Sequence, residues 1–383
     1  MRTYEYVSAD SHLEVPPYFW EPYVASEFRQ FVPKVIKLDN GGDAWKMPTT
    51  DKVLPLGLNF FSASHDPRKR WETARITGVS YSEGLLGAGN AEQRLAELDV
   101  DGIDAEVLFP AVAGQRTLDR LPADAYVAVV RGYNDWLSVE FTSADPDRLF
   151  GLAMIPPTSV EAAVAELRRI ATLSGIRGVS LHQWPNGSGG PSPEDDLFWA
   201  AAIELDVPIC THGTFGDGAK SDPRIPRGPK QFSPFNAMLS TGGKNCYTQA
   251  QLISEGVFDR FPTLRIYFAE TGIQWIPGFM EMADHEYQRH RFWADIQLPR
   301  LPSEYINEHF VWSFQQDRFG LRDRHVIGIN NIMWATDFPH MATDWPESRM
   351  LIKQQTADAN MSAEDANHVF RDTCLDFFRI SRS

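Results

Sequence analysis

Metal-ligating side chains recur along this chain at one kind of position, the carboxyl end of a short apolar run. Tyr4–Ala9 leads into Asp10, His12 and Glu14; Val207–Cys210 into His212; Leu264–Phe268 into Glu270; and Ile332–Trp334 into Asp337 and His340. Carboxylates and neutral imidazoles gathered at the carboxyl ends of successive parallel strands are the donors with which a barrel enzyme holds a divalent ion. Asp10 and His12 stand two residues apart, so an extended backbone projects both to one side, where both can face one ion. The candidate ligands are therefore Asp10, His12, Glu14, His212, Glu270 and Asp337. Three of these have plainer alternatives. Glu14, just ahead of Pro16-Pro17, also suits a turn or a place behind the ligands. Glu270 also suits the first turn of the helix that follows it, and a lone buried histidine such as His212 is more often a packing residue. The series, rather than any one member, favours ligation.

The same residues suggest catalytic roles. Asp337 is placed to accept a proton from a metal-bound water. His340 follows it across Pro339 and would orient substrate or ligand, while His182, ending the run Val179-Ser180-Leu181, would donate to a substrate oxygen. Asp337, His182 and His340 are the candidate catalytic residues. His285 and His290 lie among charges in a helical stretch and read as surface; His309, His325 and His368 read as structural. His65, Arg68, Arg70 and Arg75 fall in an irregular region, where the arginines suit a carboxylate clamp.

Eight runs read as strands that would position these groups: Tyr4–Ala9, Ala105–Phe109, Leu149–Ile155, Ile176–Leu181, Val207–Cys210, Leu264–Phe268, Phe310–Ser313 and Ile332–Trp334. Most are continuously apolar, as parallel strands buried on both faces are. Helical periodicity fills the gaps, at Asp124–Thr142, Glu161–Leu173, Asp195–Leu205, Tyr247–Asp259 and Ile273–Arg291, with a packed tail over Ser362–Phe378. In Glu161–Leu173 the apolar face is assigned to Ala162, Ala165, Ile170 and Leu173, opposite Glu166 and Arg169. Alternation of this kind predicts an α/β chain folded as a (β/α)8 TIM-like barrel, one domain over residues 1–383. Two stretches break the rhythm. Residues 16–89, rich in Pro, Gly and aromatics, read as an insertion after strand 1 that covers the mouth or a subunit contact; residues 213–244 read as a lid-like insertion after strand 5. Phe60, Phe61, Trp184, Phe215 and Trp275 are expected to line the mouth and favour an apolar or aromatic substrate body.

Bulk composition bounds the rest. The chain has 383 residues, 43% of them hydrophobic, which suffices for a large core without disulfides. Three cysteines, Cys210, Cys246 and Cys374, fit neither a thiolate metal site nor a disulfide framework. A formal net charge of −15 disfavours nucleic acid and anionic membrane as partners. No membrane-length apolar run and no basic-then-apolar leader is present, so the expectation is a cytoplasmic protein acting on a small molecule, as a homo- or hetero-oligomer.

In this order the motifs resemble those of the amidohydrolase superfamily, in the branch of aminocarboxymuconate-semialdehyde decarboxylase and related aromatic-acid decarboxylases. The marks are Asp10-Ser11-His12, His212, Thr336-Asp337-Phe338-Pro339-His340, and Gln93-Arg94-Leu95-Ala96-Glu97-Leu98-Asp99 leading into Gly102–Phe109. Two departures stand out. Glu270-Thr271-Gly272 occupies the place of the branch's histidine and glycines, and no lysine follows strand four to bridge two metals. The resemblance implies a metal-dependent enzyme that hydrolyses or nonoxidatively decarboxylates a small organic acid or amide, with zinc if one metal is bound. The surplus of carboxylates keeps open a dinuclear iron or manganese–iron oxygenase, with Glu14 or Glu270 bridging, and the departures keep open a non-catalytic subunit of a larger assembly.

Overall fold

The structure is a computed structural model that describes residues 2–51, 53–56, 75, 78–111, 121–213, 215 and 241–381, with only the backbone described for 241–244. Phe60, Phe61, His65, Arg68, Arg70 and most of residues 213–244 lie outside the described residues.

The barrel strands are β1 (Val7–Leu13), β5 (Ala105–Pro110), β6 (Leu149–Met154), β7 (Ile176–Leu181), β8 (Ile209–His212), β9 (Ile266–Ala269), β10 (Phe310–Phe314) and β11 (Ile332–Trp334), hydrogen-bonded in that order. All seven pairings are parallel. The ring closes between its two ends. Ser11 bridges Phe338, the His12 amide donates to the Phe338 carbonyl at 2.7 Å, and the Asp337 amide donates to the Asp10 carbonyl at 3.0 Å. The predicted (β/α)8 barrel is thus the observed architecture.

Helices follow the strands on the outside: α1 (Ala91–Asp101), α2 (Ala123–Trp136), α3 (Val160–Ile170), α4 (Asp196–Glu204), α5 (Thr241–Ser254), α6 (Ile276–Ala294), α7 (Pro302–His309) and α8 (Ser348–Asp358). The expected helix Tyr247–Asp259 instead breaks after Ser254, where Gly256 takes φ +65°. Between β1 and α1, the short strands β2 (Lys34–Lys37), β3 (Asp43–Lys46) and β4 (Val53–Pro55) form a separate antiparallel sheet.

Several boundaries and one face differ from expectation. β1 runs to Leu13 rather than stopping at Ala9, and β8 to His212 rather than Cys210; β9 starts at Ile266 rather than Leu264. Ser8, Asp10, Ser11 and His12 are buried residues of β1 despite their polarity. On α3 the buried positions are Val160, Ala163, Glu166, Leu167 and Ile170, so Glu166 faces inward and Ala165 outward. Glu166 tolerates burial because Asn134, Arg131 and Arg169 all donate to its carboxylate.

A second buried ion pair ties the fold to its mouth. Arg94 on α1 donates through Nε to Glu106 on β5, and through Nη2 to the carbonyls of His12 (3.0 Å) and Phe338 (3.3 Å). Its guanidinium also lies 4.6 Å from the centre of the Phe338 ring. Arg94 and Glu106 are both essentially sealed from solvent. Removing one member of such a pair strands the other charge in the core. Glu106→Leu is expected to destabilise the fold by about 3 kcal/mol in urea unfolding; a loss under about 1 kcal/mol would contradict this account.

Candidate metal centre

Four side chains meet just inside the mouth. Asp10 and His12 come from β1, His212 from the last residue of β8, and Asp337 from the turn after β11. Each offers one ligand atom, and these atoms all lie within 4.8 Å of one another. His12 Nε2 is 3.2 Å from Asp337 Oδ1 and 3.5 Å from Asp10 Oδ1; His212 Nε2 is 3.6 Å from Asp10 Oδ2. A one-residue bulge in β1 between Ser8 and Ser11 re-aims the strand as it enters the site.

The backbone around the site is held by small hydroxyls. Ser8 Oγ lies 3.0 Å from Thr336 Oγ1 and accepts from the Thr336 amide, and Ser11 Oγ lies 3.1 Å from Thr336 Oγ1. These bonds fasten β1 to the turn that carries Asp337. Asp337 and Glu270 are both non-glycine residues at positive φ, +55° and +54°. A left-handed backbone at such residues persists only where its surroundings fix it, and it concentrates at functional sites.

The donor atoms fit a cation. Asp10, His12 and Asp337 are buried, yet neither carboxylate's oxygens nor either ring nitrogen of His12 has a hydrogen-bond partner among the described residues. They approach one another without aligning as donor and acceptor, the pattern expected of groups pointed at a common ion. Electrostatics agree. Burial raises the Asp10 carboxyl far above its usual range, and the charges of Asp337 and Glu270 raise it further. Burial would raise Asp337 as well, but His340 and His12 outweigh it and hold that carboxyl below its usual range. Burial and the nearby His340 charge push the His12 imidazole down to about 4, so it is neutral and ready to ligate at pH 7. A bound divalent ion would offset both buried carboxylates at once.

A second group adjoins the first. His340 stacks on His12 with centroids 3.8 Å apart, and its Nδ1 is 3.2 Å from Asp337 Oδ1. Its Nε2 is 3.1 Å from Glu14 Oε1, and His12, Glu14 and His340 each offer a ligand atom within 4.8 Å of the others. Burial opposes the His340 charge, yet Asp337 and Glu14 together raise its imidazole well above the usual value. Glu270 sits further out. Its carboxylate is 3.3 Å from His212 Nε2 and partly exposed, outside the set of four converging atoms.

His182, expected to face substrate, is half-buried at the end of β7, with Nε2 3.1 Å from the Tyr126 hydroxyl and outside both groups. Trp184 and Phe215, expected at the mouth, are core residues packed on each other at 4.7 Å, and Trp275 packs on Phe279. Arg75, a suggested clamp, is engaged by Glu83 and the Gly78 carbonyl. His285 and His290 are exposed on α6; His309 is buried against Phe258, and His325 pairs with Asp365. Sequence reading missed the bracing roles of Arg94, Glu106, Ser8 and Thr336. The available signal was an arginine on the inward face of α1, one residue after the asparagine-capped Gln93.

Comparison with known proteins rests on this geometry. The amidohydrolase family matches the chain over residues 44–380. The chain belongs to that family. A decarboxylase named orsB from Emericella nidulans is 27% identical over 229 residues, which is 57% of this chain and 67% of the relative. The 2-amino-3-carboxymuconate-6-semialdehyde decarboxylase of Dictyostelium discoideum is 25% identical over 267 residues, 69% of this chain and 70% of the relative. Among solved structures, 5-carboxyvanillate decarboxylase from Novosphingobium aromaticivorans, complexed with manganese and 4-hydroxy-3-methoxy-5-nitrobenzoic acid, superposes with a TM-score of 0.66 at 19% identity. That match covers 98% of this chain and 96% of the other. The resemblance read from the sequence is thereby confirmed, and the fold of this amidohydrolase is shared end to end.

Two measurements test the centre. His212→Ala is expected to cut metal retained after dialysis at least about tenfold by elemental analysis; unchanged occupancy would remove His212 from the ligands. The second uses metal-free protein. An imidazole whose folded value, about 4, lies below its unfolded 6.5 contributes stability that is complete above 6.5 and lost as pH falls to about 4. The size is roughly 3 kcal/mol. His12→Asn should flatten the fall in unfolding free energy across that window, whereas an identical slope would contradict the buried neutral imidazole.

Proposed function

We propose that this amidohydrolase is a metal-dependent decarboxylase that removes the carboxyl group of a small aromatic acid without oxidation. The observation that carries the reading is the convergence of Asp10, His12, His212 and Asp337, whose ligand atoms all lie within 4.8 Å of one another, three of the four residues being buried. Support also comes from the relatives, since both named above are decarboxylases. We infer a single divalent ion at this set. Two carboxylates among four donors make a hard site that suits manganese at least as well as zinc, in keeping with the manganese in the carboxyvanillate enzyme. When bound, the ion would draw electron density from the substrate's carboxylate or an adjacent oxygen.

The chain's own residues would do the rest. Asp10, His12, His212 and Asp337 would hold the ion, and through it the acid group of the substrate at the mouth. The bond between ring carbon and carboxyl carbon breaks, carbon dioxide leaves, and the electron pair stays on the ring carbon. A proton must then reach that carbon. Asp337 Oδ1 and His340 Nδ1, 3.2 Å apart, are the pair that would hold it, with Glu14 fixing the far side of the imidazole. Engaged in that role, Glu14 would act through His340 rather than bridge two metals. A complete donor set likewise favours catalysis over a non-catalytic subunit.

The test is carbon dioxide release from ortho-hydroxylated benzoic acids by manganese-loaded protein. Asp337→Asn keeps the side-chain shape and removes the charge and the proton-transfer group. It is expected to lower kcat by about 10³-fold or more, with the native circular dichroism spectrum retained. Turnover within tenfold of wild type would take Asp337 out of the mechanism. Hydrolysis of amides or esters without decarboxylation would replace the proposed reaction.

A further inference from the structure

The candidate metal centre lies at the carboxyl ends of the strands, and a separate cavity of about 190 Å³ lies at their amino ends. Val207, two residues ahead of β8, and Arg265, just ahead of β9, form part of its wall. Phe377 and Arg379 complete it from the end of the C-terminal helix Thr373–Phe377 and the turn that follows. His212 is the last residue of β8, so the length of that strand, roughly 13 Å, stands between the cavity and the nearest ligand. Barrel enzymes do their chemistry at the other end, so an opening here is a place to bind rather than to react. A water takes up about 30 Å³, and the space therefore holds about six waters, or one small organic molecule.

The lining is apolar on one side and cationic on the other. Ile203, Val207 and Phe377 form the apolar part. Two arginines and one acid form the rest, and the acid is already taken: Arg379 donates to Asp206 through Nε at 3.1 Å and Nη2 at 3.0 Å. Arg265 is left with neutral partners. Its Nη2 donates to the Asn330 carbonyl at 3.1 Å and to Asn331 Oδ1 at 2.6 Å. Its Nε is sealed without a partner, and Nη1 has none among the described residues. A half-buried guanidinium with spare donors and no counter-charge is an unfinished contact. Burial first, and the Arg379 charge second, hold its pKa below the usual arginine value. In a chain of net charge −15, this spot at the base of the barrel carries a local excess of one positive charge. An anion would balance it, and the apolar wall calls for an anion with a hydrocarbon body.

We propose that the cavity at the amino ends of β8 and β9 binds a small organic acid, its carboxylate on Arg265 and its body against Val207, Ile203 and Phe377. Arg379 and Asp206 form the rim. The site makes no use of the metal centre, so the inference stands or falls independently of the decarboxylase reading.

The test is isothermal titration calorimetry on the manganese-loaded full chain with three probes: isovalerate, its neutral amide isovaleramide, and inorganic phosphate. Isovalerate is expected to bind with a Kd of about 1 mM or below, and the other two at least about tenfold more weakly. Arg265→Gln should weaken isovalerate at least about tenfold, whereas Asp206→Asn, which frees Arg379, should tighten it at least about twofold. Circular dichroism verifies folding. The Arg379–Asp206 pair is exposed and adds little stability, so Asp206→Asn decides the matter alone if Arg265→Gln fails to fold. A carboxylate can also bind at the metal, and His212→Ala separates the two places: isovalerate binding should survive it. Absence of isovalerate binding, equal binding of the amide, tighter binding of phosphate, affinity unmoved by Asp206→Asn, or binding lost with His212 would each overturn the proposal.

Discussion

The cost of placing two carboxylates in one dry pocket governs the mouth of this barrel. Asp10 and Asp337 are both buried, and like charges that share a site cannot both stay ionised without compensation. The chain meets this partly from within. His340 charges readily because Asp337 and Glu14 flank it, and His12 stays neutral because burial, and after it the His340 charge, disfavours its protonation. That arrangement leaves Asp10 as the carboxyl still raised far above its usual range. The imbalance is what a divalent ion would remove, and it places the ion on the Asp10 side, with His340 serving Asp337 from behind.

Departures from the usual family pattern read sensibly within this balance. A glutamate occupies position 270, and its carboxylate touches His212 from the rim rather than joining the four converging atoms. It adds negative charge next to the site without adding a buried carboxylate. Its backbone is fixed at positive φ by the Ser313 hydroxyl, which accepts from the Glu270 amide at 3.1 Å, and by the return of the chain through Gly272. The side chain is thus held at the mouth, where it meets whatever enters.

Much of this was legible in the sequence, for a physical reason. Parallel strands buried on both faces are continuous apolar runs, and ligands at their ends repeat one position in the fold, so the pattern survives without knowledge of contacts. Asp10, His12, His212 and Asp337 were all marked by it, and they are the residues that converge. What the pattern missed depends on pairing across the fold. The continuation of β1 past Ala9 through Asp10-Ser11-His12-Leu13 shows only once its partners at Thr336 and Phe338 are known. Glu166 looks like surface until Arg131, Arg169 and Asn134 surround it, and Trp184 and Phe215 look like a substrate wall until they are seen to pack on each other. The bracing role of Arg94 was invisible because two of its contacts are backbone carbonyls, which have no signature in sequence, and its partner Glu106 lies on a different element.

Barrel closure and site assembly are one event in this chain. The seam between β1 and the turn after β11 is made by the His12 amide on the Phe338 carbonyl, the Asp337 amide on the Asp10 carbonyl, and the Ser8–Thr336–Ser11 hydroxyls. Three of the four converging donors sit on residues of that seam. Arg94 then clamps it from outside by binding the His12 and Phe338 carbonyls at once, anchored by Glu106 on the neighbouring strand. A barrel that failed to close would separate Asp337 from Asp10 and His12 and leave no metal site, while His212, across the ring on β8, would stay where it is. Affinity for an ion held there would therefore be coupled to closure of the ring, and binding would stabilise the closed barrel by tying together two strand ends that come from opposite ends of the chain.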